Sequence, residues 1–374
     1  MRENKSLAVY MGERKVGTLA VTQKYLVAFE YDMQWLEHGF AISPLSLPLR
    51  REVFVPKGYD PFEGVFGVFA DSLPDGWGRL LVDRMLRREG IDPDRVDALN
   101  RLAIVGTSGM GALTYRPEIR LGKKEEGDAS LDELAKECEL VMRTQEYENL
   151  DELYQMGGSS GGARPKVNYR INGEEWIVKF ASSYDRKDIG QQEYEYSLCA
   201  KECGIRMEET RLMPSRLCAG YFATRRFDRK GGKRIHMISA SALLETSHRF
   251  PNLDYHILMR LTLKLTNDYS QLEQLYRLMC FNVYAHNRDD HSKNFSFLYD
   301  EEHKKWELAP AYDLTYSNSI GGEHATTIDG NGRNPGKKEI LAVAATVKLD
   351  PSRSEAIRAE IEEKVKSRLK KWLK

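Results

Sequence analysis

The chain has no long hydrophobic run. No apolar stretch approaches the roughly 18–20 residues of a membrane-spanning helix, and Met1 to Tyr10 carries charge without the apolar core of a signal peptide. Cysteine is scarce: Cys138, Cys199, Cys203, Cys218 and Cys280 make an odd set of five with no pair of C-x-x-C units. That excludes a zinc ribbon and argues against a disulfide framework. Cys199 and Cys203 are spaced for one face of a helix, so they are expected to pack, and a reducing cytoplasm fits best. Charge of one sign is missing too, with 56 basic against 56 acidic residues. A neutral chain lacks the basic excess of a broad nucleic-acid binder. There is no fixed-period repeat and no low-complexity segment. No H-E-x-x-H and no Walker A loop occur, and a serine-hydrolase elbow is not expected.

What is present is an ordinary globular composition. The 374 residues are 41% hydrophobic, enough for a core and for two or three domains. Leu7 to Leu47 reads as short strands and hairpins with Gly12 and Gly17 as turn points. Leu73 to Arg88 has the apolar spacing of a helix, with Pro74 suited to its first turn. Leu131 to Met142 reads as another, with a stripe of Leu131, Leu134, Cys138 and Val141. The charged segment Gly122 to Asp128 is the linker candidate. Val167 to Phe180 predicts a hairpin around Asn172-Gly173, a type I′ pair. Gln191 to Cys203 reads as helix and Tyr221 to Phe227 as strand. Beyond about Ile238 the chain is expected to be mostly helical. The division expected is a β-rich subdomain over 1–121, a small lobe over 122–237 and a helical large lobe over 238–374.

The segment most loaded with chemistry is N-R-D-D-H-S-K-N, Asn287 to Asn294, between an apolar helix (Leu272 to Tyr284) and the strand-like Phe295 to Leu298. A polar loop on such a support is a functional candidate. Phosphoryl transfer needs a carboxylate for the nucleophile's proton, an amide oxygen and a second carboxylate for magnesium, and a lysine for phosphate charge. Asp289 and Asn294 stand five positions apart, as the catalytic Asp and metal-binding Asn of protein kinases do. Asp313, in A-Y-D-L-T, follows as the second-loop carboxylate, and these oxygens are hard ligands suited to magnesium. Lys179 stands in the apolar strand W-I-V-K-F, where a lysine is costly unless paired; Glu193 on the next helix is the partner candidate. Gly157 to Lys166, G-G-S-S-G-G-A-R-P-K, can cradle phosphate on backbone N–H groups. The Gly106 to Leu113 stretch is read as a turn. His291 is assigned a structural role at the nucleotide, and His286 none.

These residues resemble one family, the HipA-type serine/threonine kinases, the toxin halves of bacterial toxin–antitoxin pairs. Similar to family signatures are Phe62 to Arg84, Val105 to Leu113, the loop S-S-G-G-A-R-P-K, the strand I-V-K-F, Gln192-Glu193, R-F-D-R at Arg226 to Arg229, D-D-H-S-K-N and Y-D-L, all in order. The resemblance implies an α+β, protein-kinase-like bilobal catalytic domain with a β-rich N-terminal subdomain and a mostly helical C-terminal lobe. It implies ATP and magnesium as cofactors, Asp289 as catalytic base, Asn294 and Asp313 as metal ligands, and Lys179 and His291 near the phosphates. Arg225 to Phe227 would be the adenine hinge. The loop Ser159, Ser160, Gly161, Gly162 and Ala163 would cover the phosphates, with Ser159, or else Ser160, autophosphorylated. A phosphate there would repel ATP. The implied partners are a protein substrate, in known cases an aminoacyl-tRNA synthetase, and a HipB-like helix-turn-helix antitoxin that supplies the DNA contacts. Two departures stand out. Arg225 occupies a hinge position where an acidic residue often stands, and the chain is shorter than the longest members.

Overall fold

Two compact units make up the chain: Met1–Lys187 with Met213–Ile238 and Ala242–Glu245, and Asp188–Leu212 with Ser239–Ser241 and Thr246–Lys374. The computed structural model describes residues 3–122, 129–143 and 150–373. All but the first residue of the linker candidate 122–128 lies outside the described residues.

The first unit begins with strands β1 (Ser6–Met11), β2 (Arg14–Val21) and β3 (Val27–Tyr31). Leu7, Val9 and Met11 alternate inward, the two-residue period of a half-buried strand. With β4 (Val53–Phe54) and β5 (Leu113–Arg116) they form an antiparallel sheet in the order β4-β3-β2-β1-β5. Gly12 is the hairpin turn, in the left-handed region at φ 59°. Gly17 is not a turn point. It lies inside β2, where a Cβ would sit 2.3 Å from the Glu30 carbonyl oxygen, so it is there for close strand approach. The expected run of strands is also interrupted by a helix, α1 (Met33–His38), started by Asp32 accepting from the Gln34 N–H.

Three further helices follow, the short α2 (Gly67–Ala70), then α3 (Gly76–Arg88) and α4 (Ala98–Val105), the last wholly buried. The α3 helix begins three residues later than its apolar spacing suggests, leaving Pro74 outside it. A second core joins α3 to α5 (Leu131–Arg143), α6 (Leu150–Gly157) and the hairpin β6 (Lys166–Ile171) and β7 (Glu174–Lys179). Trp77, Leu81, Met85, Cys138, Val141, Leu153, Val167 and Trp176 interdigitate there. Asn172 and Gly173 both adopt positive φ, 51° and 82°, as a type I′ turn requires. Next to β7 lies β8 (Tyr221–Arg225), followed by the small ribbon β9 (Arg229–Lys230) and β10 (Lys233–Arg234).

The second unit is built on α7 (Ile189–Glu202), α8 (Tyr255–Thr266) and α9 (Tyr269–Tyr284). Asn267 ends α8 in the left-handed conformation and Asp268 caps α9 through the Ser270 N–H, so the two helices turn back on each other within two residues. This unit is less helical than expected. It contains β11 (Leu253–Asp254) parallel to β14 (Thr326–Thr327), and the hairpin β12 (Ser296–Asp300) and β13 (Lys305–Leu308). Helices α10 (Lys337–Thr346) and α11 (Pro351–Arg368) close it, α11 against α9.

One buried histidine makes the first unit acid-sensitive. His236 donates from Nε2 to the Ile42 carbonyl (2.8 Å), and burial lowers its pKa from 6.5 to about 4. The unfolded chain protonates this ring near 6.5 and the folded chain only near 4, so the stability is complete above pH 6.5 and is lost as pH falls toward 4. We expect a loss on the order of 3 kcal/mol across that window, read by urea unfolding at stepped pH. His236→Gln, which keeps a donor but cannot titrate, should flatten the profile; an unchanged profile would refute the assignment.

Candidate active site

The sequence-predicted residues divide between the two units. The first holds Lys179, the loop Ser159 to Ala163, Arg225 and Phe227. The second holds Glu193, Asp289, His291, Asn294 and Asp313.

In the first unit the Gly-rich loop leads directly into β6, and Lys166 at the start of β6 stands opposite Lys179 at the end of β7. Directly opposed residues share a face of the sheet, so the two lysines lie on one face of the hairpin at the end next to the glycine loop. The Lys166 ammonium donates to the Gly161 carbonyl (2.6 Å), while the Lys179 ammonium lies 5.5 Å from the centre of the Phe222 ring. The motif alone assigns Lys166 no role; strand register sets it opposite Lys179.

The hinge candidate is tied into the first unit by its side chains. Arg225 pairs with Glu174 of β7 (3.2 Å). Arg226 turns inward and grips Asp228 with both arms (2.9 and 2.8 Å). Asp228 is fully buried and also accepts from Arg229 (2.7 Å) and the Gly111 N–H (2.7 Å). Burial alone would raise its pKa, but the charges of Arg226 and Arg229 outweigh that and leave it lowered. Arg229 and Arg234 then donate to the carbonyls of Gly109 and Gly111, and Arg234 also to Thr107. The Gly106 to Leu113 stretch is therefore a turn, as expected, held by a partly buried arginine cluster. Phe227 is half-buried.

The Gly-rich segment spells G-x-S-x-G at Gly157 to Gly161. It is no nucleophile elbow, because helix α6 precedes it and strand β6 follows, the reverse of a strand–turn–helix elbow.

In the second unit Asn287 to Asn294 forms one tight loop ending in a 3-10 turn, Ser292–Asn294. The Asn294 side-chain N–H donates to the Asp289 carbonyl (2.7 Å), and its backbone N–H to the His291 carbonyl (2.8 Å). This orients the Asn294 amide with Oδ1 as the end open to a ligand. His291 lies beside His248, ring centres 5.5 Å apart. The Asp313 loop is tied to this one twice. Tyr312 donates to the Lys293 carbonyl (2.5 Å), and Ser317 bridges back to the base of the loop at His286 and Asn287. Asp313 itself takes φ 55°, a left-handed conformation unusual for a non-glycine residue and common at functional turns. An amide oxygen and a carboxylate on adjoining loops are a donor set that suits magnesium, which takes few protein ligands and completes its shell with phosphate and water. Glu193 is buried on α7, next to Gln192, whose Oε1 accepts from Thr315 just past Asp313 (3.3 Å).

What holds the loop is a residue the motif did not single out. Asp290 is buried and accepts from His324 Nδ1 (3.0 Å), Tyr255 Oη (3.0 Å) and the Thr326 N–H (3.2 Å). Asn282 donates to Tyr255 and accepts from Asn287, completing the cage. Burial, then the neighbouring Asp290, holds the Tyr255 pKa well above its ordinary value, so it remains a donor. The adjacent aspartates are thus divided, Asp290 inward and Asp289 exposed. Nothing in the sequence around His324 marks it. Asp290→Ala should destabilise the second unit by about 3 kcal/mol, the effect of orphaning buried partners, and speed hydrogen exchange over 287–294. A change below about 0.5 kcal/mol in denaturant unfolding would contradict this.

Family models match twice: the HipA N-terminal domain over residues 7–116 and the HipA-like C-terminal domain over residues 158–369. Among solved structures the chain is similar to HipA of Shewanella oneidensis, seen with HipB and its operator DNA, at 17% identity and a TM-score of 0.72, covering 98% of this chain and 90% of that one. It also aligns with CtkA, a proinflammatory kinase of Helicobacter pylori, at 13% identity and a TM-score of 0.38, covering 55% of this chain and 90% of that one. The search of curated proteins gives no match. The likeness to the Shewanella protein, at a TM-score of 0.72, shows a shared fold, and its mix of helices and sheets is of the α+β class. Because the C-terminal model alone spans more than half of the 374 residues, the chain belongs to the HipA family.

Proposed function

We propose that this protein is an ATP- and magnesium-dependent serine/threonine kinase of the HipA toxin type. The observation that carries the reading is the closure of Asn294 on the Asp289 carbonyl, which turns the amide oxygen outward on the same loop as a candidate base. Asn294 and Asp313 would hold magnesium, which when bound neutralises the phosphate oxygens during transfer. Asp289 would take or orient the proton of the acceptor hydroxyl. Lys179 and Lys166 would answer the phosphate charge, with the Gly-rich loop covering the phosphates and the Arg225 to Phe227 segment next to adenine.

The acceptor is proposed to be a protein serine, with an aminoacyl-tRNA synthetase as the substrate class that family membership suggests, and the setting the cytoplasm. Among the described residues no helix is long and apolar enough to cross a membrane. A HipB-like antitoxin is the proposed partner, because the Shewanella relative was solved with HipB and operator DNA. DNA would then be met through that partner. The loop is also the proposed autophosphorylation site. Of its two serines, Ser160 is buried whereas Ser159 is half-buried with its hydroxyl on the Ser108 carbonyl (2.8 Å), so Ser159 is the more accessible acceptor.

Asp289→Ala should lower phosphate transfer roughly 10²–10⁴-fold, the scale of a lost general base, without changing the melting temperature; retained activity would remove Asp289 from the mechanism. After incubation with ATP and magnesium, mass spectrometry should find phosphoserine at 159. Ser159→Ala should abolish it and Ser160→Ala should not. No phosphoserine on the loop would favour a small-molecule acceptor instead.

A further inference from the structure

The start of α3 and the Gly-rich loop meet backbone to backbone. Asp75 occupies the N-cap position of α3 yet makes no capping bond to its own helix. Its carboxylate instead accepts from the Gly162 N–H. In return the Trp77 N–H, one of the amides a helix start leaves without an internal partner, donates to the Gly162 carbonyl (2.9 Å). The loop thus caps the helix, and the helix cap holds the loop. The Trp77 ring N–H adds a bond to the Lys166 carbonyl (3.0 Å), just past the loop.

Two glycines make this approach possible. A Cβ on Gly76 would lie 2.3 Å from the Gly162 carbonyl oxygen, and one on Gly78 2.2 Å from that of Ser160. Both obstacles are backbone, which cannot swing aside. On its other flank the loop is held by the Ser159 hydroxyl on the Ser108 carbonyl (2.8 Å), and Ser108 belongs to the turn that Arg229 and Arg234 fix in place. The G-W-G of α3 and the turn at Gly106 to Leu113 are N-terminal signature motifs to which the kinase chemistry assigns no role. Here both touch the loop.

We propose that the D-G-W-G start of α3 is a seat that holds the Gly-rich loop in its phosphate-covering position, with Asp75 as its positioning residue; this rests on the reading of the loop as the ATP phosphate cover. The seat works by removing conformations of an otherwise mobile glycine segment before nucleotide arrives, so the ordering is not charged against ATP affinity. A loop contact that serves substrate and transition state alike changes KM more than kcat. Phosphorylation of Ser159 would take the hydroxyl donor away from Ser108 and bring negative charge toward the Asp75 carboxylate, which loosens the same seat.

The test uses the full chain with Asp75→Ala, Asp75→Asn and Gly78→Ala, each checked by thermal melting. Without ATP, hydrogen exchange of peptides covering 158–166 should speed up about tenfold in Asp75→Ala and Gly78→Ala, the scale of losing a bond to a charged acceptor. Asp75→Asn, which keeps an acceptor oxygen, should recover most of the protection. With ATP and magnesium, KM for ATP should rise about tenfold in the same two variants, while kcat changes less than about threefold. Unchanged exchange in folded Asp75→Ala would overturn the seat even if the enzyme is a kinase. Faster exchange with unchanged KM would overturn its role at the nucleotide. A wild-type chain that turns over no ATP would instead defeat the kinase reading while the exchange experiment still decides whether the seat exists. Should Gly78→Ala fail to fold, Asp75→Ala and its asparagine control decide alone.

Discussion

A carboxylate taken out of water must be met by donors or cations, and both units use that requirement to fix a loop. In the first unit the buried Asp228 gathers Arg226, Arg229 and the Gly111 N–H. Its arginine neighbours go on to bind the carbonyls of the Gly106 to Leu113 turn. In the second unit Asp290 gathers His324, Tyr255 and Thr326. Each carboxylate is shared by donors from several segments, so none of those segments moves without orphaning a buried charge, which costs several kcal/mol. Rigid loops are what phosphoryl transfer requires, because most of its catalysis is positioning and charge placement.

Backbone-to-backbone fit does the corresponding work for the Gly-rich loop. Glycine-rich segments lose the most entropy when ordered, and a loop of four glycines and two serines has little side-chain surface to hold it. The structure answers with two glycines on α3 that let main chain meet main chain, and with hydrogen bonds to Gly162 from both directions. The N-terminal β-rich segment thereby does more than stand next to the kinase-like part. Its helix and its turn are the surface on which the loop rests.

Much of this could be read from the residues. The hairpin around Asn172-Gly173, the stripe of α5, and the apolar helix before the Asn287 to Asn294 loop all follow from local periodicity and turn chemistry, which act over a few residues. The order of uncommon motifs carries the family resemblance. Other features escaped because their cause lies far along the chain. Gly17 looks like a turn glycine until β3 is laid beside it. Pro74 looks like a helix start until the Gly162 carbonyl is seen to accept from the Trp77 N–H in the first turn of α3. Lys166 gains meaning only from its register opposite Lys179.

The sequence by itself determined that Asp289, Asn294 and Asp313 would stand on loops between core elements, because polar clusters cannot enter the apolar segments that flank them. It also determined the family, through motif types and their order. Only the tertiary structure decided which of the two adjacent aspartates turns inward, since that choice depends on His324 and Tyr255, each more than thirty positions away along the chain. It likewise decided that Asp75 serves a distant loop and not its own helix. Burial and hydrogen-bond partnership are properties of a folded neighbourhood, and no local pattern encodes them.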